Sequence, residues 1–247
     1  MNYLNRRSLG KTGLKLPLLG FGGAPLGDLF KKVSFSQAET ALNQAYDSGI
    51  RYYDTAPFYG HGLSEHRLGH LLRQKIRSDF ILSSKVGRVY NPFNGYPKDF
   101  DSSPWIGGLP FQSYFDYSSE GLERSFVDST LRLGINRIDL LIIHDLDHGY
   151  HGKKVQQRLK ELESGVEWLK KMKTLGLIKG FGAGINDMQM MSVFMEHFDV
   201  DFFLVAMPYT LLDQSPLEEV FPTCKKRKIA IIIGSPYASG ILAAGSN

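Results

Sequence analysis

Short apolar runs alternate with helix-patterned segments along almost the whole chain, and this alternation constrains the fold more than any other feature. Runs rich in β-branched and aromatic side chains read as buried strands over residues 18–21, 50–53, 80–84, 138–143, 178–183, 202–207 and 229–233. Helical spacing predicts helices over 37–47, 65–74, 119–133, 156–174, 188–197 and 216–226. Ser36 and Glu39 stand in a capping-box relation at the first of these, Ser48-Gly49 stops it, and Gly134 stops the third. Strict alternation implies parallel strands with right-handed crossovers. Seven such units suit a (β/α)₈ TIM-type barrel better than an open sheet. A short hairpin around residues 7–16 precedes the first strand. After Ser235-Pro236-Tyr237 only residues 238–247 remain, too few for an eighth unit. Either the chain is a fragment, or the barrel is open or completed by another chain. The expectation is one domain over 1–247, truncated after strand seven.

Composition removes several function classes. The formal net charge of +4 is mild and its residues are interspersed, which argues against a nucleic-acid partner. The one basic run, Lys225-Lys226-Arg227-Lys228, ends a helical pattern, where cations complement the macrodipole. No window approaches membrane-spanning length, and the N-terminus has no apolar stretch resembling a signal peptide. A single cysteine, Cys224, forbids an internal disulfide. These features lead to the expectation of a cytoplasmic protein with a small-molecule partner, and they carry no signal for oligomeric state.

Three polar residues each close an apolar run: Asp54 after Arg51-Tyr52-Tyr53, Lys85 shortly after Phe80-Ile81-Leu82, and His144 after Leu140-Leu141-Ile142-Ile143. A parallel barrel gathers its chemistry at the C-terminal strand ends, so an acid, an amine and an imidazole are expected in one site, with Tyr59 close behind Asp54. A free phenol titrates near ~10 and is a poor acid-base catalyst at neutral pH. A neighbouring ammonium favours the phenolate. Asp54 orients Lys85, Lys85 acidifies Tyr59, and His144 donates to a substrate oxygen. Tyr59 is then a general acid for a carbonyl or a base for a hydroxyl. The hydride for such an interconversion comes from no side chain, which implies a nicotinamide cofactor.

The segments Gly20-Phe21-Gly22-Gly23, Tyr53-Asp54-Thr55-Ala56-Pro57-Phe58-Tyr59-Gly60 with Ser64-Glu65 and Leu68-Gly69, Ser84-Lys85-Val86-Gly87, and Asp139-Leu140-Leu141-Ile142-Ile143-His144 resemble the aldo-keto reductase family. The resemblance runs in order over nearly the whole chain. It implies that Tyr59 is the proton donor, Lys85 lowers its pKa, Asp54 supports Lys85 and His144 orients the carbonyl. Asp145-Leu146-Asp147-His148, Gly182-Ala183-Gly184-Ile185-Asn186 and Gly234-Ser235-Pro236 are similar to the branch containing pyridoxal 4-dehydrogenase and the L-fucose, D-arabinose and galactose dehydrogenases. That branch implies oxidation of a hemiacetal to a lactone with NAD or NADP. The implied cofactor residues are Gly22, Gly23, Asp54, Asn186, Gly234, Ser235, Tyr237 and Ser239. Where many relatives carry a Ser-Asn pair, a Gln and a stacking Tyr, this chain has Gly184-Ile185, Ala206 and Gly234.

The connection over 87–117 is long and dense in aromatic residues, Trp105 among them. Long loops in compact domains are usually functional, and the expectation is a substrate cover, against a flap packed on the outer helices. Three rival readings remain: Lys85 as a Schiff-base nucleophile; a metal cluster of His144, Asp145, Asp147, His148 and His151; and a catalytically weak binding or regulatory subunit on the same barrel.

Overall fold

The computed structural model describes residues 5–95, 97–207, 209–211 and 213–237. In chain order its elements are β1 (Arg6–Ser8), β2 (Lys15–Pro17), β3 (Phe21–Gly22), α1 (Phe35–Asp47), β4 (Tyr52–Asp54), α2 (Leu63–Leu72), β5 (Ile81–Val86), β6 (Arg88–Pro92), β7 (Phe111–Phe115), α3 (Ser119–Leu133), β8 (Leu140–Ile143), α4 (His148–His151), α5 (Val155–Thr174), β9 (Gly180–Ile185), α6 (Gln189–His197), β10 (Phe202–Ala206), α7 (Phe221–Lys226) and β11 (Ala230–Gly234). Seven strands form one parallel sheet in the order β11-β10-β9-β8-β5-β4-β3, curled into a nearly closed barrel. β11 is the last described strand and forms one edge of this sheet, with β3 at the other.

Period-two alternation sorts every strand into an inner and an outer face. Tyr52, Leu140, Ile142, Phe202 and Leu204 point inward, where Leu9 and Leu16 of the N-terminal hairpin join them. The antiparallel pair β1–β2 therefore plugs the N-terminal end of the barrel. Tyr53, Leu82, Leu141, Ile143, Phe181, Phe203 and Val205 point outward into the larger core beneath the helices. A buried polar clamp crosses that outer core: the Ser84 hydroxyl donates to Glu65 at 2.7 Å, and Arg132 Nε donates to the other Glu65 oxygen at 2.6 Å. It ties α2 and α3 to β5. Inward parity continues past the plug, so the last inward residue of each strand faces the opposite, open end.

Two local expectations are corrected. The capping box of α1 is formed by Ser34 and Gln37, not Ser36 and Glu39. Ser34 Oγ accepts from Gln37 N at 3.2 Å, and Gln37 Oε1 accepts from Ser34 N at 3.0 Å. Ser36 carries a competing hydroxyl two residues on, 3.1 Å from that of Ser34. The helix expected over 216–226 is broken into a 3₁₀ turn, Ser215–Leu217, and the short α7, with proline near the start of each.

The long connection is not a loop throughout. β6 and β7 pair antiparallel as an arm rising from Gly87, and Arg124 of α3 binds its base through Tyr90 O at 2.9 Å and Asn91 Oδ1 at 2.7 Å. The segment between them bends back over the barrel mouth, where Trp105 bridges to Leu29.

Candidate active site

Strand register places Asp54, Lys85 and His144 together at the C-terminal end. Asp54 lies two residues beyond inward Tyr52 and beside Ser83, Lys85 is two beyond Ser83, and His144 is two beyond Ile142. Lys85 Nζ donates to Asp54 Oδ2 at 2.7 Å and to the Thr55 carbonyl at 2.9 Å. Ser83 Oγ donates to Asp54 Oδ1 at 2.6 Å, so both carboxylate oxygens are engaged. Ser83 was not among the candidates, though its position two before Lys85 on one strand was a readable signal.

Tyr59 sits in the tight turn between β4 and α2, its amide donating to Ala56 O and its carbonyl accepting from Ser64 N, each at 3.1 Å. Gly27 packs flat on this turn, where a Cβ would lie 2.5 Å from the Tyr59 carbonyl carbon. Lys85 Nζ stands 4.5 Å from the Tyr59 ring centroid. The His144 ring is 6.0 Å away, edge-on.

Burial dominates the electrostatics. It pushes the Tyr59 hydroxyl up, Lys85 pulls it down, Asp54 pushes it up again, and the net position is above that of a free phenol. The expectation that Lys85 acidifies Tyr59 is thus half correct: the cation acts in the expected direction, but desolvation outweighs it in the closed site. Tyr59 is held protonated. Burial also works against charge on Lys85, yet Asp54 and Tyr59 overcome it and lift Lys85 above the usual lysine range. Burial, then Lys85 and Arg88, press His144 well below its ordinary value, so the imidazole is neutral. Its Nδ1 is buried without a hydrogen-bond partner among the described residues.

A cover lies over these groups. The Trp105 ring is 5.4 Å from that of Tyr59 and 5.2 Å from that of Phe58. Arg88 at the root of the arm forms a buried ion pair with Asp145, at 2.8 Å. Sequence reasoning missed Arg88 and weighed Asp145 only as a metal ligand, whereas Trp105 lies in the connection expected to cover the substrate. Asp145 directly follows His144, which was the available signal.

Residues 18–247 match the model of the aldo/keto reductase family. The chain belongs to that family. It is 42% identical to pyridoxal 4-dehydrogenase of Microbacterium luteolum, over 97% of this chain and 72% of that protein. It is 37% identical to D-threo-aldose 1-dehydrogenase of a Pseudomonas species, over 94% and 69%. A solved aldo-keto reductase from Bacillus halodurans, in its holo form, matches with a TM-score of 0.75 at 24% identity, over 98% of this chain and 69% of that one. This aldo-keto reductase is accordingly an NAD(P)-dependent oxidoreductase.

The residues at the barrel mouth fit a dinucleotide in part. A Cβ on Gly22 would meet nothing within 4 Å, so the edge beside Asp54 is open. The last inward positions of β9, β10 and β11 are Gly184, Ala206 and Gly234, all small; Ala206 pairs in register with Gly234, and Gly184 pairs with Leu204 one inward step earlier. At Gly23 a Cβ would lie 2.8 Å from both Asp54 O and Ser64 Oγ, so close packing requires glycine there. The Asn186 amide nitrogen is also engaged, 3.3 Å from Asp145 Oδ1 and from Asp147 Oδ2. Ser235 and Tyr237 are exposed beyond β11, and Ser239 lies outside the described residues. Of the residues in the rival metal-cluster reading, Asp145 binds Arg88, Asp147 caps α4, His148 faces Asp187, His151 meets Tyr117, and His144 Nε2 lies 3.5 Å from Asp145 Oδ1. Among the described residues no helix is long and apolar enough to cross a membrane.

Proposed function

We propose that this enzyme interconverts a cyclic hemiacetal or pyridoxal-type alcohol with its oxidised form, using Tyr59 for the proton, with Lys85 and Asp54 setting its charge and His144 orienting the substrate oxygen. The observation that carries this reading is the Lys85–Asp54 pair buried against a protonated phenol, with a neutral imidazole on the far side. A bound nicotinamide dinucleotide supplies or accepts the hydride. Gly22, Gly184, Ala206 and Gly234, which leave space at the barrel mouth, are the residues that would hold it.

In the carbonyl-forming direction Tyr59 acts from its phenolate form, having first released its own proton, and the phenolate oxygen takes the proton of the substrate hydroxyl. In reverse the Tyr59 hydroxyl protonates the carbonyl oxygen as negative charge grows there. The buried ammonium of Lys85 stabilises the phenolate side of that exchange without leaving Asp54. Trp105 and Phe58 exclude water, which strengthens each of these interactions. The relatives named above act on pyridoxal and on an aldose, which supports a small polar substrate of this kind.

The test is a panel of L-fucose, D-arabinose, galactose and pyridoxal, each with NAD and with NADP, read by absorbance of the reduced nicotinamide. Turnover of at least one substrate is expected. Dinucleotide binding without turnover of any would favour a binding subunit instead.

A further inference from the structure

Arg88 is the most heavily engaged cation near the site and takes no part in the proton path. It begins β6, three residues after Lys85, and is buried. Its guanidinium carbon lies 3.8 Å from the ring centroid of Phe58, 4.1 Å from that of Phe115 and 4.8 Å from that of Tyr150. Those rings belong to the Tyr59 turn, the arm and α4. Nε and Nη2 both donate to one oxygen of Asp145, Oδ2, at 3.1 and 2.8 Å. The other oxygen, Oδ1, lies 3.5 Å from His144 Nε2 and accepts from Asn186 at 3.3 Å. An unpaired carboxylate at that distance would strongly favour a charged imidazole.

We propose that Arg88 is a positioning residue of this active site: its guanidinium holds the Asp145 carboxylate as a neutralised pair beside His144, and its aromatic cage fixes the root of the covering arm to the same point. The proposal rests on the reading of His144 as the residue that orients substrate. Removing a buried partner of such a pair leaves its mate uncompensated. Every ionisable group facing His144 enters the balance. Lys85 of β5 and Arg88 of β6 oppose its protonation, and Asp145 favours it. Tyr59 faces the ring edge-on, with Asp54 behind Lys85. Tyr117, whose hydroxyl donates to His144 O at 2.8 Å, also meets His151, and Asp147 adjoins through Asn186. Loss of Arg88 removes one opposing cation and bares the one adjacent anion, so both changes raise the His144 midpoint.

The experiment is NMR titration of the full chain with isotope-labelled histidine, the His144 signal being assigned by its loss in His144→Gln. In the unaltered protein His144 stays neutral well below the usual histidine midpoint. In Arg88→Met, and in the milder Arg88→Gln should the first fail to fold, the midpoint is expected to rise by about one unit or more. Arg88→Lys, which keeps the charge, is expected to hold it low. The double variant Arg88→Gln/Asp145→Asn, which removes the bare anion, is expected to restore the low value. A midpoint unmoved in both Arg88→Met and Arg88→Gln overturns the proposal. So does an equal rise in Arg88→Lys, or a rise that persists in the double variant. The titration needs no turnover, so its failure would leave the proposed reaction standing, and absence of turnover in the substrate panel would leave the titration readable.

Discussion

The two halves of the barrel mouth differ in kind. Asp54 of β4, Lys85 of β5 and His144 just beyond β8 all face inward and are buried, and among their fully buried side-chain polar atoms only His144 Nδ1 lacks a hydrogen-bond partner among the described residues. Strands β9, β10 and β11 end inward in Gly184, Ala206 and Gly234, with no charge. In the proposed reading one half holds and moves a proton, and the other, lined by small side chains, faces the cofactor. On that reading the two halves differ in what they require: the polar half needs fixed side chains, whereas a flat ring would need their absence.

Breaking the polar half should have the largest effect. Lys85→Met strips a buried carboxylate of its partner and is expected to cost about 3–5 kcal/mol in denaturant unfolding, together with most turnover. The sign with pH follows from Lys85 lying above the usual lysine range. The contribution of the pair is fully present below the unfolded lysine value of about 10.4, and it is lost as pH rises through the folded one. Unfolding of the unaltered protein followed into alkaline pH checks this.

The two adjacent glycines sharpen the comparison at the seam. Gly23→Ala drives a methyl into Asp54 O and Ser64 Oγ and should destabilise by about 1–3 kcal/mol. Gly22→Ala meets open space and should leave the melting curve nearly unchanged, within about 1 kcal/mol. It should weaken dinucleotide binding by about tenfold, or roughly 1.4 kcal/mol, measured by calorimetric titration. Equal stability losses in both variants would erase the distinction. The smallest effect lies farthest from the mouth: Ser34→Ala removes the α1 cap and should cost about 1 kcal/mol with kcat unchanged.

The polar half was legible because each of its residues interrupts an apolar run, and a strand end two residues past an inward side chain repeats its direction. Asp54, Lys85 and His144 could therefore be placed from spacing alone. The smooth half was harder. Gly22 and Gly23 look alike in a sequence, and only the backbone of β4 decides that one faces space and the other a carbonyl. The net direction of Tyr59 was only half legible because counting charges registers Lys85 but not desolvation, to which the packing of Trp105 against the ring contributes. The cap at Ser34 was lost to a second serine two residues on. Arg88 escaped because its three aromatic partners come from segments far apart in the chain, which no local pattern joins.

The division of labour is tested most directly by Tyr59→Phe in a single-turnover experiment, with dinucleotide affinity measured in the same protein. The account predicts unaltered affinity and a hydride-transfer rate lowered by about 10²–10⁴-fold, the usual worth of general acid-base catalysis. Transfer at the original rate, or a loss confined to dinucleotide binding, would contradict it.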